Sequence, residues 1–271
     1  MPARRWFISL VLALCCAGAH AGSACISHEI GPDQLRAASQ LTLTVIAELE
    51  AADRPLAIVS RVGQDLSQYG QRYSHAGLVV RDHPAGRWTV IHELNHCGSA
   101  DSGIYAEGML NVFLDDMVRY EAHLLWPDDR LTEALLRALA DEAPRRLHNP
   151  EYSVISRYGS ESTQNSTAWL AELIGYSMAA EFPGCRRSPS QPRQIARCAL
   201  DRQGFTPDSI RISYGKRVMG GLFSANASFV DHPLRSRLSG NYEVVTVRSI
   251  LDWLRPHSIA EREIVEAHVR G

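Results

Sequence analysis

The pattern of apolar and polar positions predicts a protein that contains both helices and strands. Apolar residues recur at helical spacing from Asp33 to Ala52. Leu56–Val62, His75–Arg81 and Arg87–Leu94 have the composition of strands, and the turn-forming segment 82–86 predicts an antiparallel hairpin between the last two. Helices and strands are grouped rather than strictly alternating. We therefore expect an α+β fold with a mostly antiparallel sheet packed against helices.

Further along the chain, the same pattern predicts two more strands and several helices. The expected elements are a short helix at Gly108–Asp116, a strand at Val118–Trp126, a helix from Pro127 to Ala143, a helix from Ser166 to Ala180, a helical segment at Gln194–Arg202, a strand at Tyr242–Val247 and a closing helix that begins at Ser249.

The N-terminal residues have the composition of a secretory signal peptide. Arg4 and Arg5 precede an apolar run, Trp6–Cys16, and small residues occupy the cleavage positions that end at Ala21. We expect residues 1–21 to be the signal peptide and residues 22–271 to form a single α+β domain that is periplasmic or secreted. No later run approaches the ~20 apolar residues that a membrane-spanning helix needs, so no transmembrane segment is expected after cleavage.

The cysteines and the charge narrow the compartment and the partners. Cys25, Cys97, Cys185 and Cys198 remain after cleavage, and an even number in an exported protein indicates disulfides. We favour the pairs Cys185–Cys198 and Cys25–Cys97, with free buried cysteines as the alternative. The formal net charge of −2 gives no reason to expect nucleic acid or an anionic membrane surface as a partner.

The predicted helix at Ser166 is the first candidate for chemistry. Serine is a good N-cap residue, and the start of a helix also stabilises an oxyanion, so Ser166 is either a plain cap or a nucleophile. His75 opens one strand, and His92 lies near the end of the next, on the same face as Trp88 and Val90. A base on one strand and an orienting residue on its neighbour would complete a nucleophilic site. The spacing alone does not show that these residues meet, and a structural role for each histidine is the alternative.

A second candidate is the segment from His92 to His96, which matches the H-E-x-x-H pattern of zinc peptidases. That pattern binds zinc only on a helix, where His92 and His96 would share a face. The segment follows a turn and is rich in strand formers, and Cys97-Gly98-Ser99 would end a helix at once. We therefore expect no cofactor, with zinc on His92 and His96 as the alternative.

Several short motifs resemble a known family. They are Tyr73-Ser74-His75-Ala76-Gly77, Trp88, His92, Leu94, Asn95, Cys97, Gln164-Asn165-Ser166, Trp169, Leu222-Phe223, Ala225-Asn226, Asp231-His232-Pro233, Val244-Val245-Thr246-Val247 and Ser249-Ile250. Together they resemble the bacterial exported family named domain of unknown function 2145, over nearly the whole mature chain. More distantly, the layout is similar to the circularly permuted NlpC-type branch of the papain-like superfamily.

The resemblance implies His75 as the base, His92 as the orienting residue and position 166 as the nucleophile. It also implies that Glu93 is a surface variation within the His92 strand. The chain departs from active papain-like enzymes at position 166, which is serine rather than cysteine. A hydroxyl is a weaker nucleophile than a thiolate and needs a well-aligned base.

Three hypotheses follow for function. The first is a hydrolase or acyl-transfer enzyme that acts on an amide or ester of the cell envelope through Ser166, His75 and His92, with peptidoglycan peptides or lipids as substrates by analogy. The second is a non-catalytic periplasmic protein that binds an envelope small molecule, peptide or lipid on the same scaffold. The third is a zinc peptidase that uses His92, Glu93 and His96.

Overall fold

A six-stranded antiparallel sheet forms the centre of the molecule. The computed structural model describes residues 29–114, 117–186, 191–217 and 226–265. Within them, the sheet has the strand order β4-β3-β2-β1-β5-β8. Its strands are β1 (Leu56–Val62), β2 (His75–His83), β3 (Gly86–Asn95), β4 (Ser102–Gly108), β5 (Arg119–Pro127) and β8 (Ser258–Val265), while β6 (Asp208–Arg211) and β7 (Asn241–Val244) form a separate antiparallel pair.

Helices cover both faces of this sheet. They are α1 (Pro32–Ala52), α2 (Met109–Leu114), α3 (Asp129–Ala140), α4 (Ala143–Leu147), α5 (Ser166–Met178), α6 (Pro192–Arg202), α7 (Leu234–Ser239) and α8 (Val247–Leu254), with short 3-10 turns between some of them. The predicted α+β class, with an antiparallel sheet packed against helices, is confirmed.

The pleat of the strands divides the core into two layers. Ala76, Leu78 and Ile91 point to the layer that contains α3 to α6 and α8, which we name the α5 face. Val79 and Val90 point to the opposite layer with α1 and α2, which we name the α1 face. Because successive side chains alternate between faces, the parity of a residue in β2 or β3 determines which layer it enters.

Helix α5 is the most deeply buried helix of the α5 face. Trp169 is fully buried, and its indole N–H donates to the Pro144 carbonyl at 3.0 Å. The helix begins at Ser166, as predicted, but the N-cap is Asn165, whose side-chain oxygen accepts from the Ala168 N–H at 2.7 Å. The capping role is therefore met by Asn165, and Ser166 occupies the first helical position.

Some elements differ from the prediction. The strands β4, β6 and β8 were not predicted. Both β4 and β8 lie at the sheet edges and have one buried residue each, and strands that are partly exposed carry a weak period-two pattern. The helix predicted to run to Ala143 ends at Ala140, and α4 follows as a separate helix. Glu142 has a φ of 55°, a left-handed conformation that interrupts the helix before Pro144.

The disulfide Cys185–Cys198 is present, as predicted, with its Cα atoms 5.6 Å apart. Cys97 is also disulfide-bonded, and the predicted partner Cys25 lies outside the described residues, as does the predicted signal peptide. In the part of the chain that the structure describes, no helix is long and apolar enough to cross a membrane.

Gly175 permits the close contact between α5 and α6, and its substitution tests that packing. A Cβ atom at this position would lie 2.6 Å from the Ala196 carbonyl oxygen and 2.6 Å from Leu200 Cγ. Although alanine favours helices more than glycine does, we expect Gly175→Ala to lower the free energy of unfolding by about 1–3 kcal/mol through overpacking. Urea denaturation measures this, with Ser177→Ala on the same helix as a near-neutral control. A more stable Gly175→Ala protein would contradict the packing described.

Candidate functional site

His75 and His92 form a buried pair on the α1 face of the sheet. His75 Nε2 lies 2.9 Å from His92 Nδ1, and His92 Nε2 lies 3.3 Å from Glu107 Oε2. If His92 Nε2–H donates to the carboxylate, His92 Nδ1 accepts from His75 Nε2–H. The three residues thus form one hydrogen-bonded chain from Glu107 inward.

Both imidazoles are held neutral. Burial lowers the pKa of His75 well below its usual value, and the neighbouring His92 and Arg61 lower it further. Burial and Arg61 lower the pKa of His92 to about 4. Arg61 is the cross-strand neighbour of His75, so its positive charge opposes protonation of the pair. At neutral pH, the pair is an uncharged donor–acceptor chain.

The predicted zinc pattern lies in a strand. His92, Glu93 and the residues up to Asn95 belong to β3, so His92 and Glu93 point to opposite faces, and the helical arrangement that the pattern requires does not form. His92 also uses its two ring nitrogens in opposite directions, toward His75 and toward Glu107, so these three side chains do not converge on one ion. Among the described residues, no group of three or more His, Cys, Asp or Glu side chains is arranged to hold a metal ion.

Ser166 lies on the α5 face, beside Tyr152. The Tyr152 hydroxyl hydrogen-bonds with the side chain and with the backbone of Ser166. Burial and the nearby Glu93 carboxyl raise the pKa of Tyr152 to about 12, against the opposing effect of those hydrogen bonds. The phenol is therefore neutral at physiological pH and does not act as a base toward the serine.

The sheet separates Ser166 from both histidines. His75 has the parity of Val79, and His92 has the parity of Val90, so both point to the α1 face. Ser166 starts a helix that packs on the α5 face. The structure thus brings the two histidines together but does not bring Ser166 to them.

The α5 face does not contain the two histidines, but it buries the carboxyl of Glu93. It is fully buried, so the expectation that Glu93 is a surface variation is wrong. Its Oε1 lies within hydrogen-bonding distance of the Ser102 hydroxyl, at 2.7 Å, and its Oε2 has no hydrogen-bond partner among the described residues. Burial raises the pKa of Glu93 to about 8, and Glu172 adds to the shift, whereas Ser102 and Arg193 oppose it. Glu93 is therefore a largely protonated carboxylic acid at neutral pH.

Ser102 connects Glu93 to a third side chain, His148. The Ser102 hydroxyl lies 3.0 Å from His148 Nε2, which in turn is 4.0 Å from the Glu93 carboxyl. Burial lowers the pKa of His148, and His96 and Arg193 lower it further. The sequence alone offered no partner for His148, and the structure supplies two.

Backbone contacts hold His148 in this position. The Ser102 N–H donates to the Pro150 carbonyl at 2.9 Å, which joins the start of β4 to the loop after α4. From the other side, the Gln164 side chain accepts from the Asn149 N–H at 2.7 Å and donates to the Leu147 carbonyl at 3.1 Å. Gln164, which precedes the N-cap Asn165 of α5, thus fixes the loop that carries His148.

A buried ion pair supports the same region. Glu172 of α5 accepts from Arg193 Nε at 2.7 Å and lies 3.6 Å from the Arg197 guanidinium. Burial raises the pKa of Glu172, and both arginines oppose the shift. Gln164 also donates to this carboxyl, at 2.7 Å. Because an unpaired buried charge is costly, these contacts hold α5 and α6 in one arrangement.

An open cleft of about 440 Å³ lies beside His148 and Arg193. Its lining is mostly polar and comes from α4 and the loop after it, the loop before α5 and the start of α6: Arg146, His148, Asn149, Pro150, Glu161, Gln191, Pro192, Arg193 and Gln194. His148 is the residue that the cleft shares with the Glu93–Ser102 pair. The arrangement therefore connects a buried acid to a surface where a ligand can bind.

Two signals in the sequence could have indicated these residues. Glu93 has the parity of Ile91, so the period-two rule applied to β3 already assigns a carboxyl to an apolar face. Glu172 is the one charged residue within the apolar segment 168–174. No comparable signal marks Ser102, His148 or Tyr152, because long-range contacts alone bring them together.

The low pKa values of the histidine pair predict acid sensitivity. The folded pKa of His92, about 4, lies below its usual 6.5, so stability present above pH 6.5 is lost as the pH falls toward 4. We expect the free energy of unfolding to decrease over this interval, and His92→Gln to make the decrease less steep. Urea denaturation at half-unit pH steps measures both slopes. Equal slopes for the two proteins would contradict the assignment.

Glu93 predicts the opposite pH dependence above pH 4.5. Its folded pKa of about 8 exceeds the model-compound value of 4.5, so its contribution favours folding below pH 4.5 and is lost as the pH rises to 8. We expect Glu93→Gln to increase the free energy of unfolding by about 1–3 kcal/mol at pH 8 and to have little effect at pH 5. Denaturation curves at these two pH values measure the difference, and an equal effect at both would rule out a buried, titrating Glu93.

Comparison with known proteins identifies the family of the chain. No curated protein and no solved structure matches it. The model of one family, described as uncharacterized protein conserved in bacteria (DUF2145), matches residues 48–254. This segment includes β1 to β7 and every residue of the candidate site described above. The chain therefore belongs to the bacterial family DUF2145.

Proposed function

We propose that this protein is an exported, non-catalytic binding protein of the bacterial cell envelope, and that its ligand occupies the cleft beside His148. The observation that carries the proposal is the position of Ser166, which the sheet separates from His75 and His92. A serine hydroxyl without an aligned base is a poor nucleophile. In this proposal Ser166 has a structural role, because it begins α5 and contacts Tyr152.

The cleft supports a binding role. Its volume of about 440 Å³ is in the range of small-molecule sites. The loop that lines the cleft is held in place without a ligand by hydrogen bonds between Gln164 and Asn149 and between Ser102 and Pro150. A preformed site loses less conformational entropy on binding, so a rigid wall favours affinity.

Export is supported by two features. The chain begins with the pattern of a signal peptide, and the disulfide Cys185–Cys198 is typical of an oxidising compartment such as the periplasm. Within the bacterial envelope, soluble muropeptides are the ligands that we would test first, by analogy with the NlpC-type superfamily.

The hydrolase hypothesis, with its likeness to permuted papain-like enzymes, stays a prediction. It requires His75 to take the Ser166 proton, and that in turn requires the two residues to lie on one side of the sheet. A fluorophosphonate probe, which reacts with activated serines, distinguishes the two hypotheses. We expect no adduct on Ser166 by peptide mass mapping, with a serine hydrolase in the same tube as a positive control.

The binding proposal has its own readout in the same sample. After muropeptides are added, we expect the ¹H–¹⁵N amide signals of Asn149 and Gln194 to shift, the muropeptides to remain uncleaved, and Ser166→Ala to bind equally well. An adduct on Ser166 that disappears in His75→Ala would overturn the proposal in favour of the hydrolase. Unchanged cleft signals would overturn muropeptides as the ligand of this cleft.

A further inference from the structure

We propose that the cleft binds an anionic oxygen group through His148 Nδ1, and that the buried Glu93, acting through Ser102, determines whether this nitrogen donates or accepts a hydrogen bond. The inference rests on the proposed ligand-binding function and adds the ligand class and the regulation of the same site.

The Ser102 hydroxyl links the two titratable groups. Its oxygen lies 2.7 Å from Glu93 Oε1 and 3.0 Å from His148 Nε2. A hydroxyl has one hydrogen, so Ser102 donates to one acceptor at a time, and besides these two side chains the Asn149 and Pro150 carbonyl oxygens lie 3.4 Å away. A relay between Glu93 and His148 has two hydrogen-bonding patterns, in which Ser102 donates to one of the two side chains and accepts from the other.

In the first pattern, Glu93 is a neutral acid. Its O–H donates to the Ser102 oxygen, Ser102 donates to His148 Nε2, and the imidazole hydrogen then resides on Nδ1. In the second, Glu93 is ionised and accepts from Ser102, which accepts from His148 Nε2–H, so Nδ1 keeps only a lone pair. The second pattern contains one proton fewer than the first. The Nδ1 proton leaves to solvent, the Ser102 hydrogen moves to His148 Nε2, and the Glu93 hydrogen moves to Ser102.

The surroundings of Glu93 favour the first pattern. A buried carboxylate needs donors for both oxygens, but Oε2 of the fully buried Glu93 has no partner among the described residues. Glu172 of α5 adds negative charge, and Arg193 of α6 is the opposing cation. Tyr152 also faces this carboxyl, and its phenol is neutral. The balance keeps the acid protonated until about pH 8.

His148, whose Nε2 faces Ser102, lines the cleft together with the cationic side chains of Arg146 and Arg193. Arg193 Nε and Nη2 bind the Glu172 carboxyl and the Ser160 carbonyl, whereas Nη1 makes no hydrogen bond to any described residue. The acidic lining residue, Glu161, is paired with Arg197. Besides Glu93, the charged or titratable neighbours of His148 are His96 and Arg193, and both lower its pKa, so the ring is neutral at pH 7.

The start of α6 adds to this preference for anions. Gln191 precedes the helix and makes no side-chain cap, and Pro192, Arg193 and Gln194 of the first turn line the cleft. The N-terminal end of a helix attracts negative charge. The Arg146 guanidinium, which lies 5.6 Å from the centre of the Tyr176 ring, adds a second cation to the lining.

The first measurement needs no ligand. The ¹⁵N shifts of a histidine ring distinguish the nitrogen that carries hydrogen, so they report the pattern directly. We expect His148 of the full mature protein to carry hydrogen on Nδ1 at pH 6.5 and on Nε2 at pH 9. Hydrogen on Nε2 at pH 6.5 would overturn the relay.

The second measurement is binding of small anions. Acetate and inorganic phosphate are titrated at pH 6.5, and acetate again at pH 9, while the amide signals of Asn149 and Gln194 are followed by NMR. We expect saturable binding at pH 6.5 and an acetate Kd at least about fivefold higher at pH 9, because the donor at Nδ1 is lost. Tighter binding of acetate would indicate a carboxylate ligand, and tighter binding of phosphate a phosphoryl ligand.

Glu93→Gln is the matched control variant. The glutamine amide donates to Ser102 as the protonated carboxyl does, so His148 Nδ1 should carry hydrogen at both pH values and the acetate Kd should become independent of pH. Arg137→Gln removes an exposed cation from α3 and should leave the fivefold change intact. An unaltered pH dependence in Glu93→Gln would overturn the role of Glu93. If the His148 ring shows the expected ¹⁵N shifts but no anion binds at either pH, the relay would stand and the anionic ligand class would be wrong.

Discussion

The packing of α5 against one face of the central sheet determines where every polar group of the candidate site lies. This helix is apolar almost all round, so it needs a sheet face on one side and further helices on the other. Its start presents Ser166 to Tyr152, and its middle presents Glu172 to Arg193 and Arg197. Once α5 occupies this face, the pleat directs His75 and His92 to the opposite layer.

Each layer buries its polar groups in a different way. On the α1 face, two neutral imidazoles and the Glu107 carboxyl satisfy one another in a chain. On the α5 face, Glu172 is compensated by two arginines, whereas the hydrogen-bond partner of Glu93 is Ser102. A buried carboxyl with an unpartnered oxygen costs stability unless it is protonated. An ionised Glu93 would therefore lower the stability of the fold. The Ser102 hydroxyl connects Glu93 to His148, which lines the cleft.

A site that combines a fixed wall, several donors and a titratable relay suits recognition of a ligand. The loop that carries His148 is held by Ser102 on one side and by Gln164 on the other. These contacts use backbone groups and amides, which do not change with pH, so the loop keeps its place while the hydrogen on His148 moves. In the function that we propose, binding and its regulation therefore depend on different residues of one cleft.

The sequence by itself determined the class of fold and most of its elements. The amphipathic pattern of Asp33–Ala52, the hairpin around residues 82–86 and the helix start at Ser166 all depend on local spacing and local turn chemistry, and all are present. The motifs also indicated the family, whose model matches residues 48–254. Only the tertiary structure decided which face of the sheet α5 covers, and hence that Ser166 meets Tyr152 while His148 meets Ser102 and Glu93. Those contacts join residues up to 55 positions apart, from Glu93 to His148, and neither helical nor strand periodicity carries information over such separations.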